Sequence, residues 1–175
     1  MIFIKPLVFI FIYIYSSSIF AINIAVVNIE LIINENQSYI NFLNEIDQNQ
    51  KKYLEKFKKY EEELDKLLKE IEDSKLLLSE GEINTMISNY NNELNQFTKL
   101  VDKFNLHYQN EILKVRKIIL DEIIVLLEKY AKNNSIELVL DATSYLLASN
   151  SINLTSKLKE ELDNTKLNLE FEDFE

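Results

Sequence analysis

From Leu43 the apolar positions step alternately by three and four. Leu43, Ile46, Gln50, Tyr53, Phe57, Tyr60, Leu64, Leu67, Ile71, Ser74 and Leu78 follow this spacing, with Gln50 and Ser74 as polar breaks. A heptad rhythm sustained this long predicts a coiled-coil helix. Lys51, Lys52, Glu55, Lys56, Lys58, Lys59, Glu61, Glu62 and Glu63 lie between the seam positions and supply its solvated face. The rhythm resumes at Ile83 and runs through Ile87, Tyr90, Leu94, Phe97, Val101, Phe104 and Tyr108. Ile112, Val115, Ile119, Ile123, Leu126 and Tyr130 continue it, but two steps of four fall together around Tyr108. Such a stutter locally unwinds a coiled coil.

The stretch between the two runs, "LLLSEGEINTM" at 76–86, holds Gly81, the only glycine in the chain. Gly81 either ends the first helix in a left-handed conformation or lies in the first turn of the second. In the second case Ser79 caps that helix and Glu82 completes a Ser-x-x-Glu box, the preferred reading. Either way the chain reverses within about residues 76–82. Two long helices joined this tightly fold back on each other. Arms of roughly 40–50 residues would be ~60–75 Å long. Leu76, Leu77 and Leu78 then either form an exposed apolar tip, or Leu78 ends the seam and the others pack on the returning helix.

The flanks read differently. "INIAVVNI" at 22–29 is short, β-branched and apolar, as a buried strand should be. "NNS" at 133–135 breaks the helix, "IELVLD" at 136–141 reads as a second strand and "TSYLLA" at 143–148 as a third. "NSIN" at 150–153 is a turn, and "LTSKLKEELD" at 154–163 is a short helix with Thr155 as its N-cap. First and last elements must therefore meet. The fold class is α+β, mostly α: a helical hairpin over 37–132 inserted in a small β-rich body made of 22–36 and 133–163. Three short strands leave open edges, which oligomerisation would cover.

Composition narrows the picture. The chain of 175 residues is 47% hydrophobic and 27% charged, with one Gly, one Pro and no Cys. Long helices fit this, whereas a disordered chain, a many-turned sandwich and a disulfide framework do not. "MIFIKPLVFIFIYIYSSSIFA" has the charged start, apolar run and small-residue end of an export signal cleaved after Ala21; the alternative is a retained membrane anchor. Cleavage would leave 18 basic and 29 acidic residues, a net charge of −11. That acidity disfavours nucleic acid as a partner. A single glycine cannot build a phosphate-binding loop, and a single histidine, His107, cannot build a two-histidine zinc motif. His107 reads as a structural residue on a helix arm. No catalytic residue, metal site or cofactor is expected, and the chain does not read as an enzyme.

"IAVVNIELIINE" (24–35), the heptad hairpin and "IELVLDATSYLLASNSINLTSKLKEEL" (136–162) together resemble the Skp/OmpH family of periplasmic chaperones. The resemblance covers about residues 22–163. Its most specific part is Val139-Leu140-Asp141 followed by a strand and an Asn-Leu-Thr helix start. It implies a homotrimer whose β body is built from the end strands of three chains, with three hairpins hanging from it as tentacles. It further implies an ATP-independent holdase that keeps unfolded outer-membrane proteins soluble in the periplasm, in the cavity between the arms. Long arms with dispersed apolar groups suit reversible, multivalent contact.

Many members of that family are basic, and their basic patches are linked with lipopolysaccharide and anionic lipid. This chain is acidic. Its basic clusters, Lys51, Lys52, Lys56, Lys58 and Lys59 on one arm and Lys114, Arg116 and Lys117 on the other, read as helix faces paired with nearby acids. No lipopolysaccharide or anionic-membrane site is carried over. The aromatic stripe of Tyr53, Phe57, Tyr60, Tyr90, Phe97, Phe104 and Tyr108 reads as hairpin seam. The candidate client contacts are Leu54, Leu68 and Leu106, just off the seam, and Leu76 and Leu77 at the tip. The tail, 164–175, reads as a disordered terminus; alternatively "KLNLEFEDFE" (166–175) is an apolar–acidic strip that docks on the body or competes with clients. The rival to a chaperone is a structural coiled-coil spacer of the cell envelope.

Overall fold

The computed structural model describes residues 22–174. The expected export signal at 1–21 and its cleavage point lie outside the described residues. Along the chain run β1 (Ile24–Val27), α1 (Ile29–Glu35), α2 (Gln37–Ser74), α3 (Glu80–Asn134), β2 (Leu138–Asp141), two 3-10 turns (Ala142–Ser144 and Asn150–Ile152) and α4 (Thr155–Asp163). The fold is α+β and mostly helical.

β1 is the centre of the body. Ala25, Val26 and Val27 are buried in succession, which is how a strand covered on both faces reads. It pairs in parallel with β2, in register from Ile24 opposite Leu138 to Val27 opposite Asp141. On its other edge the Val26 carbonyl accepts from the Leu154 N–H at 2.9 Å, and Val26 bridges Asn153. Ile32 and Ile33 of α1, Leu158 and Leu162 of α4, and Val115, Ile119 and Ile123 of α3 close over this ribbon, all fully or almost fully buried.

Short polar side chains set the element boundaries. Asn28 ends β1 and caps α1, its Oδ1 accepting from the Leu31 N–H at 2.9 Å. That cap stops the strand expected over 22–29 at Val27 and turns "IELIINE" into a helix. Asn36 ends α1 and starts α2: its Oδ1 accepts from the Tyr39 N–H at 3.1 Å, while its Nδ2 donates to Asp163 at 3.0 Å. Thr155 is not the N-cap of the last helix. It is the first helical residue after Leu154, and its N–H donates to Asn153 Oδ1 at 2.9 Å. Its hydroxyl is taken by the Asn28 N–H, also at 2.9 Å, which ties the two ends of the body together.

The third strand expected at 143–148 does not form. Asp141 accepts from the Thr143 N–H at 3.0 Å and the Thr143 hydroxyl at 2.8 Å, so the chain turns into a 3-10 helix directly after β2. Leu146 and Leu147 follow in irregular chain at 105% and 91% exposure. The same Asp141 carboxylate reaches the first N–H of α1, on Ile29, at 3.2 Å. The Thr143 backbone N–H is the main cause holding this carboxyl below its ordinary range; burial opposes it, and the Thr143 hydroxyl and Ile29 N–H assist.

The arms are unequal, 38 residues in α2 against 55 in α3. At 1.5 Å per residue they are about 57 and about 82 Å long. The surplus of α3 runs past the start of α2 into the body core. Helix α2 stops at Ser74, whose carbonyl accepts from the N–H groups of Leu77 and Leu78 at 2.9 and 3.0 Å. Helix α3 then starts from Ser79, whose N–H and hydroxyl donate to the Glu82 carboxylate at 2.9 and 2.6 Å as part of a capping box. The Ser79 hydroxyl first, and its N–H second, hold the Glu82 carboxyl below its usual value. Gly81 lies in the first turn of α3, not in a left-handed conformation; that conformation belongs to Ser135, which ends α3 at φ 54°.

Two substitutions follow from this geometry. A Cβ at Gly81 would meet nothing within 4 Å, so Gly81→Ala should raise stability by up to about 1 kcal/mol in a chemical melt. Asp141→Asn should cost about 1–3 kcal/mol at pH 7 by weakening charge-assisted bonds. Because the folded carboxyl titrates below its unfolded value of about 3.9, that contribution is present above pH ~4 and is lost as pH falls through the folded value. The gap between wild type and Asp141→Asn should therefore narrow as pH falls below about 4; a constant gap across the acid range would refute the assignment.

Candidate functional site

The hairpin is packed at its base and thin toward its tip. Across the arms Phe57 meets Phe97 and Phe104 edge-on, with ring centroids 5.8 and 4.9 Å apart, and Tyr60 stacks on Phe97 at 5.1 Å. The Tyr60 hydroxyl donates to Glu93 at 2.8 Å, and this bond, with burial second, raises its pKa. Beyond Leu64, only Ile71 on α2 is buried, and on α3 nothing is buried before Phe97. Leu67, Leu68, Leu78, Ile87 and Leu94 are instead partly exposed along this distal stretch.

The five candidate contact residues all face solvent. Leu54, Leu68 and Leu106 are exposed on the arms. Leu54 and Leu68 are fourteen residues apart, two heptads, and so share a face of α2. Leu76 and Leu77 are 95% and 83% exposed, so they do not pack on the returning helix. They end up together because the Ser74 turn and the Ser79 cap leave them in the non-helical stretch between. No cleft gathers all five, and the surface they form is dispersed.

Near the body the seam departs from the expected heptads by one residue on each arm. Asn49, not Gln50, and Glu111, not Ile112, are the buried positions. At Asn49 the tail supplies the polar partner. Residues 166–174 carry no regular secondary structure and lie along the base of the hairpin, where a disordered terminus was the first expectation. Asn49 Nδ2 donates to Asp173 at 2.6 Å, while Asn49 Oδ1 accepts from the buried Tyr108 hydroxyl. Burial, then the neighbouring Tyr53 and Asp173, push the Tyr108 pKa up to about 12. His107 is part of this contact, its Nε2 lying 2.8 Å from the Glu172 carbonyl oxygen.

The expected pairing holds for the α3 cluster but not for the α2 cluster, where among the described residues Lys51 alone of the five lysines meets a carboxylate. Lys51 meets Asp47 at 2.6 Å, Lys117 meets Asp121 at 2.6 Å, Arg116 meets Glu30 at 2.6 Å and Lys114 meets Glu172 at 3.3 Å. Exposed pairs of this kind are worth only ~0–1 kcal/mol each. Among the described residues no group of three or more His, Cys, Asp or Glu side chains could hold a metal ion, and no helix is long and apolar enough to cross a membrane.

Sequence reasoning missed a second apolar surface, around the body. Ile24 and Leu138 at the strand starts, Leu113, Ile124 and Val125 on α3, and Leu146 and Leu147 are all exposed. The apolar run "YLLA" was its signal, hidden by assigning that run to a strand within one chain.

The model of the family described as outer membrane protein (OmpH-like) matches residues 23–162. No curated protein matches the chain. A crystal structure from Caulobacter crescentus CB15, classed as an OmpH-like outer membrane chaperone, has the same fold at 10% identity. The match has a TM-score of 0.63 and covers 87% of this chain and 93% of that one.

The Tyr108 hydroxyl gives a test of the hairpin base. A tyrosine whose folded pKa lies above its unfolded value of about 10 stabilises fully below pH ~10, and that share is lost as pH rises toward 12. Tyr108→Phe should lose roughly 1–3 kcal/mol at pH 8, because the Asn49 amide oxygen loses its donor. It should also lose less stability than wild type between about pH 10 and 12. Parallel alkaline decline in the two proteins would exclude Tyr108 as the titrating group.

Proposed function

The chain belongs to the OmpH-like outer membrane protein family, and from that premise we propose that it is an ATP-independent holdase chaperone of the periplasm. It binds unfolded outer-membrane proteins and keeps them from aggregating. It acts by binding and not by catalysis. The observation that carries this reading is the set of exposed leucines on the arms and tip, Leu54, Leu68, Leu76, Leu77 and Leu106. Leu76 and Leu77 are adjacent at the tip and Leu54 and Leu68 share a face of α2, so the exposed leucines recur along a projecting rod. Dispersed, shallow apolar contacts hold an unfolded chain reversibly, since no single site fixes its conformation.

The working form in this proposal is a homotrimer. In its support, β2 has a free edge among the described residues, and Leu113, Val125, Leu146 and Leu147 lie uncovered around a two-stranded sheet. Two strands seldom suffice alone. Pairing of residues 143–148 with a neighbouring copy would give them the strand partner that a single chain lacks. Three hairpins would then enclose a cavity lined by the exposed faces of the arms.

A urea-unfolded outer-membrane β-barrel protein, diluted with and without this protein, tests the reading by the fraction left soluble after centrifugation. Near-stoichiometric trimer should hold the barrel in solution. Leu76→Ser with Leu77→Ser should leave thermal stability unchanged, because neither side chain is packed, yet lower the soluble fraction several-fold. Equal pelleting with and without the wild-type protein would sink the holdase proposal and favour a structural spacer.

A further inference from the structure

The terminal strip occupies a groove between the arms that no other described part of the chain fills. Phe171 stacks on Tyr108 at 6.0 Å and meets Phe42 edge-on at 6.3 Å, bridging α3 and α2. Phe174 does the same one step further out. Its ring lies 5.4 Å from Tyr53, 5.5 Å from Phe104 and 5.6 Å from His107, and it is buried. Between the two rings, Glu172 meets Lys114 at 3.3 Å and Asp173 accepts from Asn49 at 2.6 Å. Two further contacts reach the strip's backbone: His107 Nε2 lies 2.8 Å from the Glu172 carbonyl oxygen, and the Tyr53 hydroxyl donates to the Phe174 carbonyl.

We propose that this groove is a binding site for extended peptide segments with two aromatic side chains three residues apart and acidic groups between them, and that residues 166–174 are its resident, displaceable occupant.

Three features point to displaceability. The strip has no regular secondary structure. Among the described residues, no backbone–backbone hydrogen bond ties 166–174 to the rest of the fold. Its one ion pair among the described residues, Lys114 with Glu172, is solvent-exposed on both sides, at 46% and 73%, and so contributes little. What the groove reads is also not peculiar to the tail. Two aromatic seats, an ammonium group, an amide and two backbone-carbonyl contacts would accept any extended chain of the same chemistry. Recognition through main-chain carbonyls is how extended peptides are generally held without a fixed sequence. The cleft beside the strip, lined by His107, Glu172, Asp173 and Phe174, gives an incoming segment a place to start. A tethered occupant competes at high effective concentration. Only segments that fit the seats well, or that also engage the distal leucines, displace it. Naming unfolded clients as the competitor rests on the holdase reading; the groove and its occupant do not.

The test uses a fluorescently labelled peptide of residues 166–175. It is titrated into the full chain, a chain ending at Thr165, and the full-length Phe171→Ser, Phe174→Ser variant, with helix content followed by circular dichroism. The peptide should bind both altered proteins saturably, at least tenfold more tightly than the full chain, and a peptide with both phenylalanines replaced by serine should not bind. Failure to bind either altered protein while both keep wild-type helicity would overturn the proposal. So would equal binding to all three proteins, or loss of the hairpin in both altered proteins, which would make the strip a part of the core. A barrel-solubility assay on the same proteins separates the two readings. Peptide binding with no effect on the barrel leaves the groove standing and removes the holdase.

Discussion

The burial of β1 is the constraint on which the rest depends. Four residues, Ile24–Val27, are held on one edge by β2 and on the other by the chain entering α4. A parallel pair cannot be made by a tight turn and needs a long crossover. Here the crossover is the whole hairpin. The segments flanking the hairpin are therefore locked together, and the hairpin between them is pushed outward as a projecting element. Asn28, Thr155 and Asp141 hold this closure with bonds between positions more than a hundred residues apart. Contacts so remote in sequence are slower to form than the shorter-range contacts of the hairpin near its tip.

Packing along the hairpin is graded. Near the body, interlocked aromatic rings and the buried Asn49–Tyr108 contact fix the register of the two arms. A polar pair inside an apolar seam costs stability but rules out slipped alternatives. Toward the tip the seam narrows to Ile71 and partly covered neighbours. The apolar side chains left over there are the ones that can be offered to something else. Rigidity and adhesiveness thus occupy opposite ends of the same element.

The heptad rhythm and the Ser79–Glu82 box made the arms and their reversal legible, because both are local and each residue type has one good use there. The parts that were not legible depend on distant partners. "IELIINE" has the apolar content of a strand, and it became a helix because Asn28 caps it and α3 and α4 cover it. "TSYLLA" has strand propensity but, in one chain, no strand to pair with, and Asp141 drew its start into a turn. The acidic tail looked like solvent-exposed terminus by composition. Its phenylalanines found seats only because two helices cross at the right separation. The exposure of Leu54, Leu68 and Leu106 follows from their positions off the seam, and that of Leu76 and Leu77 from the chain reversal.

The continuity of α3 carries a mechanical consequence. One unbroken helix of 55 residues has its far end beside Leu76–Leu78 and its near end clamped in the body by Val115, Ile119 and Ile123. The tip is some 38 residues from that clamp, about 57 Å along the axis, so a tilt of ~10° at the clamp would swing the tip by ~10 Å. The rod is thus a lever with a short arm in the core and a long arm in solvent. A small change of packing around Ile119 would be magnified at the tip, and a load on the tip would reach the strand closure with the same leverage.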